Sequence, residues 1–164
     1  MNEKAFRRLE DEGRVLIDAA RLDPEGETRT GETGDVLDLR SACLRPKGGI
    51  AYDLDIAPLG REILVRGSLR AVVEADCARC NRPFDLVVEV PDFAETFEMP
   101  RTDAGLDITD ALREAVILES PAFPVHDPDC KGLCPKCGAD LNDGPCACPP
   151  GTGDFRWSAL DALR

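Results

Sequence analysis

The sequence predicts an α+β fold, in which a bent, barrel-like antiparallel β-sheet carries one packed helix and a cysteine-rich C-terminal extension. Apolar side chains occupy every second position over long stretches between residues 50 and 97, which is typical of strands with one buried face. A segment near residue 110 instead has apolar residues three and four positions apart, as an amphipathic helix does. Five of the eight cysteines lie between residues 130 and 148, in a stretch rich in proline and glycine.

The composition is that of a globular protein with an acidic surface. The 164 residues suffice for one compact domain with a small appended module, and 43% of them are hydrophobic and 32% charged. The 20 Lys and Arg residues are outnumbered by 32 Asp and Glu residues, which gives a formal net charge of −12. Because phosphate groups attract positive surfaces, this balance argues against a protein that coats nucleic acid or anionic membranes through its overall charge.

The sequence also predicts a cytoplasmic protein. No apolar run approaches the roughly 18 residues of a membrane helix, and the charged N-terminal sequence is unlike a signal peptide. Thiols stay reduced in the cytoplasm, so clustered cysteines there bind metal more often than they form disulfides.

Residues 1–34 are interpreted as an N-terminal segment and linker. The stretch 6–22 mixes apolar and charged residues in a way that fits either a helix or a strand. The stretch 24–34 is polar and contains proline and glycine, which predicts a surface loop.

Residues 35–125 are interpreted as the β-rich core. Alternation over residues 50–56 predicts one strand, and alternation over residues 63–77 predicts a longer strand that bends at Gly67. Residues 84–90 repeat the pattern, which then slips by one position at Pro91 and Asp92, as it does at a β-bulge. The last two segments flank residues 77–83, so we predict an antiparallel hairpin with two cysteines at its tip.

Two helices are predicted. The first spans residues 107–119: Asp107 caps it, Leu112 and Val116 lie on its apolar face, and Pro121 follows its end. The second is a short docking helix at the end of the C-terminal extension, which comprises residues 126–164. Its apolar face is formed by Trp157, Leu160 and Leu163.

The cysteines of the extension have the spacing of a zinc knuckle. In Cys134-Pro-Lys-Cys137-Gly, the two-residue spacing lets both thiolates point at one ion, and Gly138 permits the tight turn that follows. Without a metal, the segment has too little apolar surface to offset its ordering entropy. The alternative is a cluster of reduced surface thiols. The predicted main zinc site consists of Cys134, Cys137, Cys146 and Cys148.

The remaining ligand-type residues suggest a second zinc site, formed by Cys77, Cys80, His126 and Cys130. This site would attach the extension to the sheet. The alternative is that Cys77 is a buried free cysteine and that His126 makes only local hydrogen bonds. In a further variant, Cys130 replaces one cysteine of the Cys-x-Cys pair in the main site. Cys43 is interpreted as a thiol without a role.

The sequence favours a protein that is not an enzyme. A redox Cys-x-x-Cys pair opens a helix after a strand, whereas the pair at residues 77 and 80 lies between two predicted strands. A site of four thiolates is closed to substrate, and a single histidine cannot supply a base together with the group that orients it. Thiol redox activity or metal-dependent catalysis is the alternative.

Several motifs together resemble the bacterial YceD family of large-subunit ribosomal RNA accumulation proteins. They are Cys-Ala-Arg-Cys at residues 77–80, Cys-Lys-Gly-Leu-Cys-Pro-Lys-Cys-Gly at residues 130–138, the Cys-x-Cys pair, and Asp-Phe-Arg-Trp at residues 154–157. The resemblance covers roughly residues 35–164. It implies a non-enzymatic role in ribosome biogenesis, and it transfers no catalytic residue to this chain. The residues that match are Cys77, Cys80, Cys130, Cys134, Cys137, Cys146 and Cys148.

The resemblance implies large-subunit ribosomal RNA or early large-subunit ribosomal proteins as partners, without a membrane or a small-molecule substrate. The candidates for contacts with RNA or a partner are Arg79, Arg82, Lys131 and Lys136, although ordinary solvated charge would also explain them. An acidic body would attract basic ribosomal proteins instead. A further alternative is an interaction module unrelated to ribosomes.

Overall fold

The computed structural model describes residues 13–37, 44–100 and 105–148. Strands β2 to β5 form an antiparallel sheet in the order β2-β3-β4-β5, and β1 pairs with β6 in a separate two-stranded sheet. The elements of the described residues are β1 (Leu16–Ile17), β2 (Glu27–Glu32), β3 (Leu44–Leu59), β4 (Glu62–Asp76), β5 (Pro83–Glu98), β6 (Leu106–Asp107) and α1 (Thr109–Glu119).

The prediction of a mostly antiparallel sheet with one helix is confirmed for these residues, but the prediction of a barrel is wrong. Strands β2 and β5 are the two edges of the sheet and do not pair with each other. The alternation in the sequence shows that one face is buried, and it does not show what covers that face. Here α1 and the segment around β1 cover it, so the sheet has no need to close.

The core lies between the sheet and α1. Alternate residues of β4 point into it, and Leu112 and Val116 of α1 meet them from the other side. A fully buried aliphatic side chain contributes about 1.5–3 kcal/mol relative to an exposed one, so this layer carries most of the stability of the fold. The β4 residues of the core are Ile63, Val65, Leu69, Ala71, Val73 and Ala75.

The long hairpin of β4 and β5 has the predicted bulge. Gly67 pairs with Phe93, and the next pair joins Leu69 to Val90. One residue of β4 therefore lies opposite two residues of β5, and a bulge of this kind bends the hairpin.

A glycine is also required at position 67 because the backbone of β3 passes very close to it. Its φ angle is 152°, and a Cβ atom at this position would overlap the backbone carbonyl of Asp53. The bend predicted at Gly67 therefore coincides with a place where only a glycine fits.

The prediction of a loop over residues 24–34 is wrong for its central part. Residues 27–32 form β2, which pairs with β3 from Glu27 opposite Ile56 to Glu32 opposite Ala51. Four of its six residues are exposed, so this edge strand lacks apolar alternation. Its pairing depends on backbone hydrogen bonds to β3, which a local sequence pattern does not reveal. In the ambiguous stretch 6–22, the described part contains the short buried strand β1.

Helix α1 begins two residues later than predicted. Asp107 belongs to β6, where it pairs with Leu16, and its carboxylate accepts a hydrogen bond of 3.0 Å from the backbone amide of Thr109. The helix ends before Pro121, as predicted. No helix among the described residues is long and apolar enough to cross a membrane. The predicted docking helix and Cys43 lie outside the described residues.

Replacing Gly67 by alanine should destabilise the fold by about 3 kcal/mol or more, because the added methyl group meets the β3 backbone at an unfavourable φ. The matched control is Gly60→Ala in the β3–β4 turn. Gly60 also has a positive φ, of 66°, but open space surrounds its Cβ position, so that variant should lose only about 1 kcal/mol. Urea denaturation followed by circular dichroism measures both values, and equal losses would contradict the close approach.

Candidate metal centres

Two groups of four side chains each bring their ligand atoms within 4.8 Å of one another. The first, here called the hairpin cluster, contains Cys77, Cys80, His126 and Cys130. The second, here called the tail cluster, contains Cys134, Cys137, Cys146 and Cys148. Each group unites the residues that the sequence suggested for one zinc site.

The hairpin cluster is formed where two separate chain segments meet. Cys77 and Cys80 lie in the turn between β4 and β5, whereas His126 and Cys130 follow α1. The Sγ atoms of Cys77 and Cys130 are 3.8 Å apart, and Nδ1 of His126 lies 3.5 Å from Sγ of Cys80. All three cysteines are buried, with exposed fractions of 2–6%.

The β4–β5 turn brings its two thiols together. The backbone amide of Cys77 donates to the carbonyl of Arg82 at 2.9 Å, and the amide of Asn81 donates to the carbonyl of Cys77 at 2.8 Å. Asn81 has a φ of 59°, a conformation that asparagine tolerates better than most residues. These bonds close the turn so that Cys77 and Cys80 face the same side.

The segment after α1 is fixed against this turn by polar contacts. The backbone amide of Ala78 donates to the carbonyl of Pro124 at 2.7 Å. The Arg79 guanidinium donates to the carbonyls of Pro128 and Cys130 at 2.8 and 3.0 Å. These bonds hold the loop that carries His126 and Cys130 next to the hairpin tip.

The tail cluster depends on a tight turn of its own. The amide of Gly138 donates to the carbonyl of Cys134 at 2.8 Å, and Gly138 has a φ of 74°, which favours glycine. The Sγ atoms of Cys134 and Cys146 lie 3.4 Å apart. Cys134 is buried and Cys137 is exposed, so this cluster lies nearer to solvent than the hairpin cluster.

Polar side chains connect the tail to the hairpin cluster. The Asn142 side-chain amide donates to Sγ of Cys130 at 3.4 Å, and its oxygen accepts from the backbone amide of Lys131 at 2.8 Å. Arg82 in the β4–β5 turn forms ion pairs with Asp140 and Asp143 at 2.8 and 2.9 Å. The two clusters are thereby joined into one polar network.

The hairpin cluster contains thiols with displaced pKa values. Burial raises the pKa of the Cys77 thiol, but hydrogen bonds from the His126 side chain and from nearby backbone amides outweigh it and lower the value to about 5. Burial also raises the pKa of Cys80, which reaches about 11. A thiol whose pKa is lowered therefore lies beside one whose pKa is raised.

The tail cluster shows the same contrast. Backbone amides of Cys137 and Lys136 donate to the Cys134 sulfur and lower its pKa to about 6. The side-chain contact with Cys137 and burial raise the pKa of Cys148 to about 12.

The chemistry of both groups fits a metal ion. Each offers four nitrogen or sulfur donors, and each contains a buried thiol whose pKa is lowered, Cys77 or Cys134, which favours the thiolate form that binds a metal. The placement of Cys130 favours one of the groupings that the sequence left open, because Cys130 contacts Cys77 and lies outside the tail cluster. Both clusters could therefore hold a metal ion.

The four predicted contact residues have different surroundings. Arg79 and Arg82 use their guanidinium groups in the internal contacts described above, which reduces what they can offer to RNA. Lys131 and Lys136 are exposed. Sequence reasoning missed the supporting roles of Asp140 and Asn142, although both lie in the Cys-Gly-Ala-Asp-Leu-Asn stretch at residues 137–142 that follows the knuckle.

Comparison with known proteins assigns the family. The family model described as large ribosomal RNA subunit accumulation protein YceD matches residues 65–164, a range that includes both clusters. The chain belongs to the YceD family.

Individual relatives agree with this assignment. The chain is 36% identical over 107 residues to an uncharacterized protein of Mycobacterium tuberculosis, an alignment that covers 57% of this chain and 52% of that protein. It is 26% identical over 162 residues to the chloroplastic large ribosomal RNA subunit accumulation protein YCED homolog 1 of Zea mays, which covers 73% of this chain and 55% of the relative. The chain thus spans about half the length of these curated relatives. No solved structure matches it.

Replacing Cys77 by serine should lower the free energy of unfolding by about 3 kcal/mol or more, because loss of a metal ligand between core and tail is among the costly classes of substitution. Cys137→Ser is the matched control, since Cys137 is exposed and lies only in the tail cluster. That variant should leave unfolding of the sheet unchanged while making residues 131–148 sensitive to limited proteolysis. Equal losses of stability in both variants would contradict the different roles of the two clusters.

Proposed function

We propose that this protein is a non-catalytic ribosome biogenesis factor that supports the accumulation of large-subunit ribosomal RNA as a zinc-stabilised adaptor in the cytoplasm. The observation that carries the proposal is the family match over residues 65–164, which includes all eight side chains of the two clusters. The name of the Zea mays relative supports the same role.

The identity of the metal is inferred from the donor sets. Three cysteines with one histidine, and four cysteines, are the common ligand sets of structural zinc. In a tetrahedral site with Zn–S bonds of about 2.3 Å, neighbouring sulfurs lie about 3.8 Å apart. The Cys77–Cys130 separation of 3.8 Å and the Cys134–Cys146 separation of 3.4 Å are close to this value.

The number of protein ligands in each cluster supports the non-catalytic role. A catalytic zinc site keeps one position open for water or substrate, whereas each cluster here supplies four protein ligands. Zinc bound there would act by holding the tail against the hairpin tip, and the chain's own residues would present the resulting surface to a partner.

The charges favour a protein partner over RNA. Arg79 and Arg82, the arginines at the hairpin tip, donate to backbone carbonyls and to carboxylates of the same chain. With a net charge of −12, the chain would be steered toward basic proteins, of which ribosomal proteins are a large class.

Sedimentation in the native host tests this function. We expect the tagged full-length chain to migrate with precursors of the large subunit, and its depletion to lower the ratio of large-subunit to small-subunit ribosomal RNA. Re-expression of the wild type should restore the ratio, whereas Cys77→Ser should not, because it removes a ligand that joins the tail to the sheet. A chain found only among free proteins, with an unchanged RNA ratio after depletion, would refute the proposal.

A further inference from the structure

A groove of about 410 Å³ lies between α1 and β5. Its floor is apolar and includes Phe93, Ala115 and Leu118, and its rim is acidic and includes Asp92, Glu95 and Glu114. Leu118, at the end of the groove, is 77% exposed, so this large apolar side chain is mostly in contact with solvent.

The groove is formed by a second face of α1. Residues 112 and 116 point into the core, whereas residues 111, 114, 115 and 118 line the groove. The second set has the helical spacing i, i+3, i+4 and i+7, which places its members on one side of the helix. Helix α1 therefore buries one face in the core and leaves a second face, which lines the groove, accessible to solvent. A partner could bind to this second face.

The acidic rim lacks internal partners. None of the groove's lining residues is basic. Within residues 13–37, 44–100 and 105–148, no ion pair or side-chain hydrogen bond involves Asp92, Glu95 or Glu114. On the opposite face of the sheet, two carboxylates that do have basic partners are Asp76, which pairs with Arg45, and Asp85, which pairs with Lys47.

We propose that this groove binds a basic segment of a protein partner, in which lysine or arginine side chains alternate with apolar ones. The apolar side chains would pack on Leu118 and on the half-buried Ala115 and Val90, and the cations would pair with Glu95 and Glu114. The inference rests on the proposed function and deepens it, since it names the class of partner as a basic, extended protein segment and the surface that receives it.

Charge and shape both favour this occupant over RNA. Three carboxylates at the rim repel phosphate groups, and the groove offers no cation to offset that repulsion. Strand β5 is also an edge of the sheet, and an edge strand next to an apolar groove suits an extended peptide.

Peptide binding to the full-length, zinc-loaded chain tests the inference. The probe is a short fluorescein-labelled peptide in which arginine alternates with leucine, and its affinity is measured by fluorescence anisotropy. The double variant Glu95→Lys/Glu114→Lys should weaken binding roughly tenfold, because two attractive charge pairs become repulsive. Glu95→Gln/Glu114→Gln, which adds no repulsion, should weaken it less.

The matched control is Glu25→Lys/Glu32→Lys, which changes the net charge equally at two exposed glutamates that do not line the groove. It should alter the affinity less than twofold. Equal weakening by both lysine variants would overturn the inference, because it would show attraction to overall charge only. A labelled ribosomal RNA fragment that, with no peptide present, binds the wild-type chain but not Glu95→Gln/Glu114→Gln would also overturn it. So would a change of oligomeric state in the groove variant at unaltered peptide affinity, which would make the groove an interface between copies of the chain.

The peptide-binding experiment and the sedimentation experiment can fail independently of each other. If the chain migrates with large-subunit precursors but the groove variant binds the peptide normally, the groove inference fails and the proposed function stands. If the groove binds the peptide as expected but the chain does not migrate with precursors, the function fails and the groove inference stands.

Discussion

The hairpin cluster joins the tip of the β4–β5 hairpin to the segment that follows α1. The arrangement of this segment, residues 126–148, depends on that connection. Within residues 126–148 the buried apolar side chains are those of Cys130 and Cys134 alone. Such a segment cannot offset its ordering entropy by apolar burial. The sheet and α1, by contrast, share a continuous aliphatic core. The protein therefore combines a part that folds by hydrophobic burial with a part that has little apolar burial and contains two clusters that could hold a metal ion.

Hydrogen bonds and ion pairs around the two clusters hold the chain segments that carry the cysteines and His126 in place. Arg79 and Arg82 form bonds across the junction, and Asn142 donates to a sulfur of the hairpin cluster from within the tail. Partners of this kind orient metal ligands and restrict their movement. They also occupy the guanidinium groups of Arg79 and Arg82 with partners in the same chain.

The sequence predicted the features that depend on local spacing. The bulge after β5 residue Val90 and the glycine bend followed from alternation, and the residues of the tail cluster followed from cysteine spacing. The residues of the hairpin cluster were suggested only by counting the ligand-type residues that remained. It did not predict β2 or the open sheet. Strand β2 has a polar sequence and exists because β3 supplies backbone partners 19 to 29 residues away in the sequence. Whether the sheet closes depends on which element covers its buried face. The sequence did not predict the groove either, because the groove forms only when α1 and β5 are placed next to each other in the fold.

X-ray absorption at the zinc edge of the purified, reduced full-length protein, combined with elemental analysis, tests the central claim most directly. The account predicts two zinc ions per chain that share seven sulfur ligands and one imidazole nitrogen, as the two clusters supply them. A single zinc ion with oxygen ligands, or a folded protein whose tail stays ordered with no transition metal bound, would contradict it.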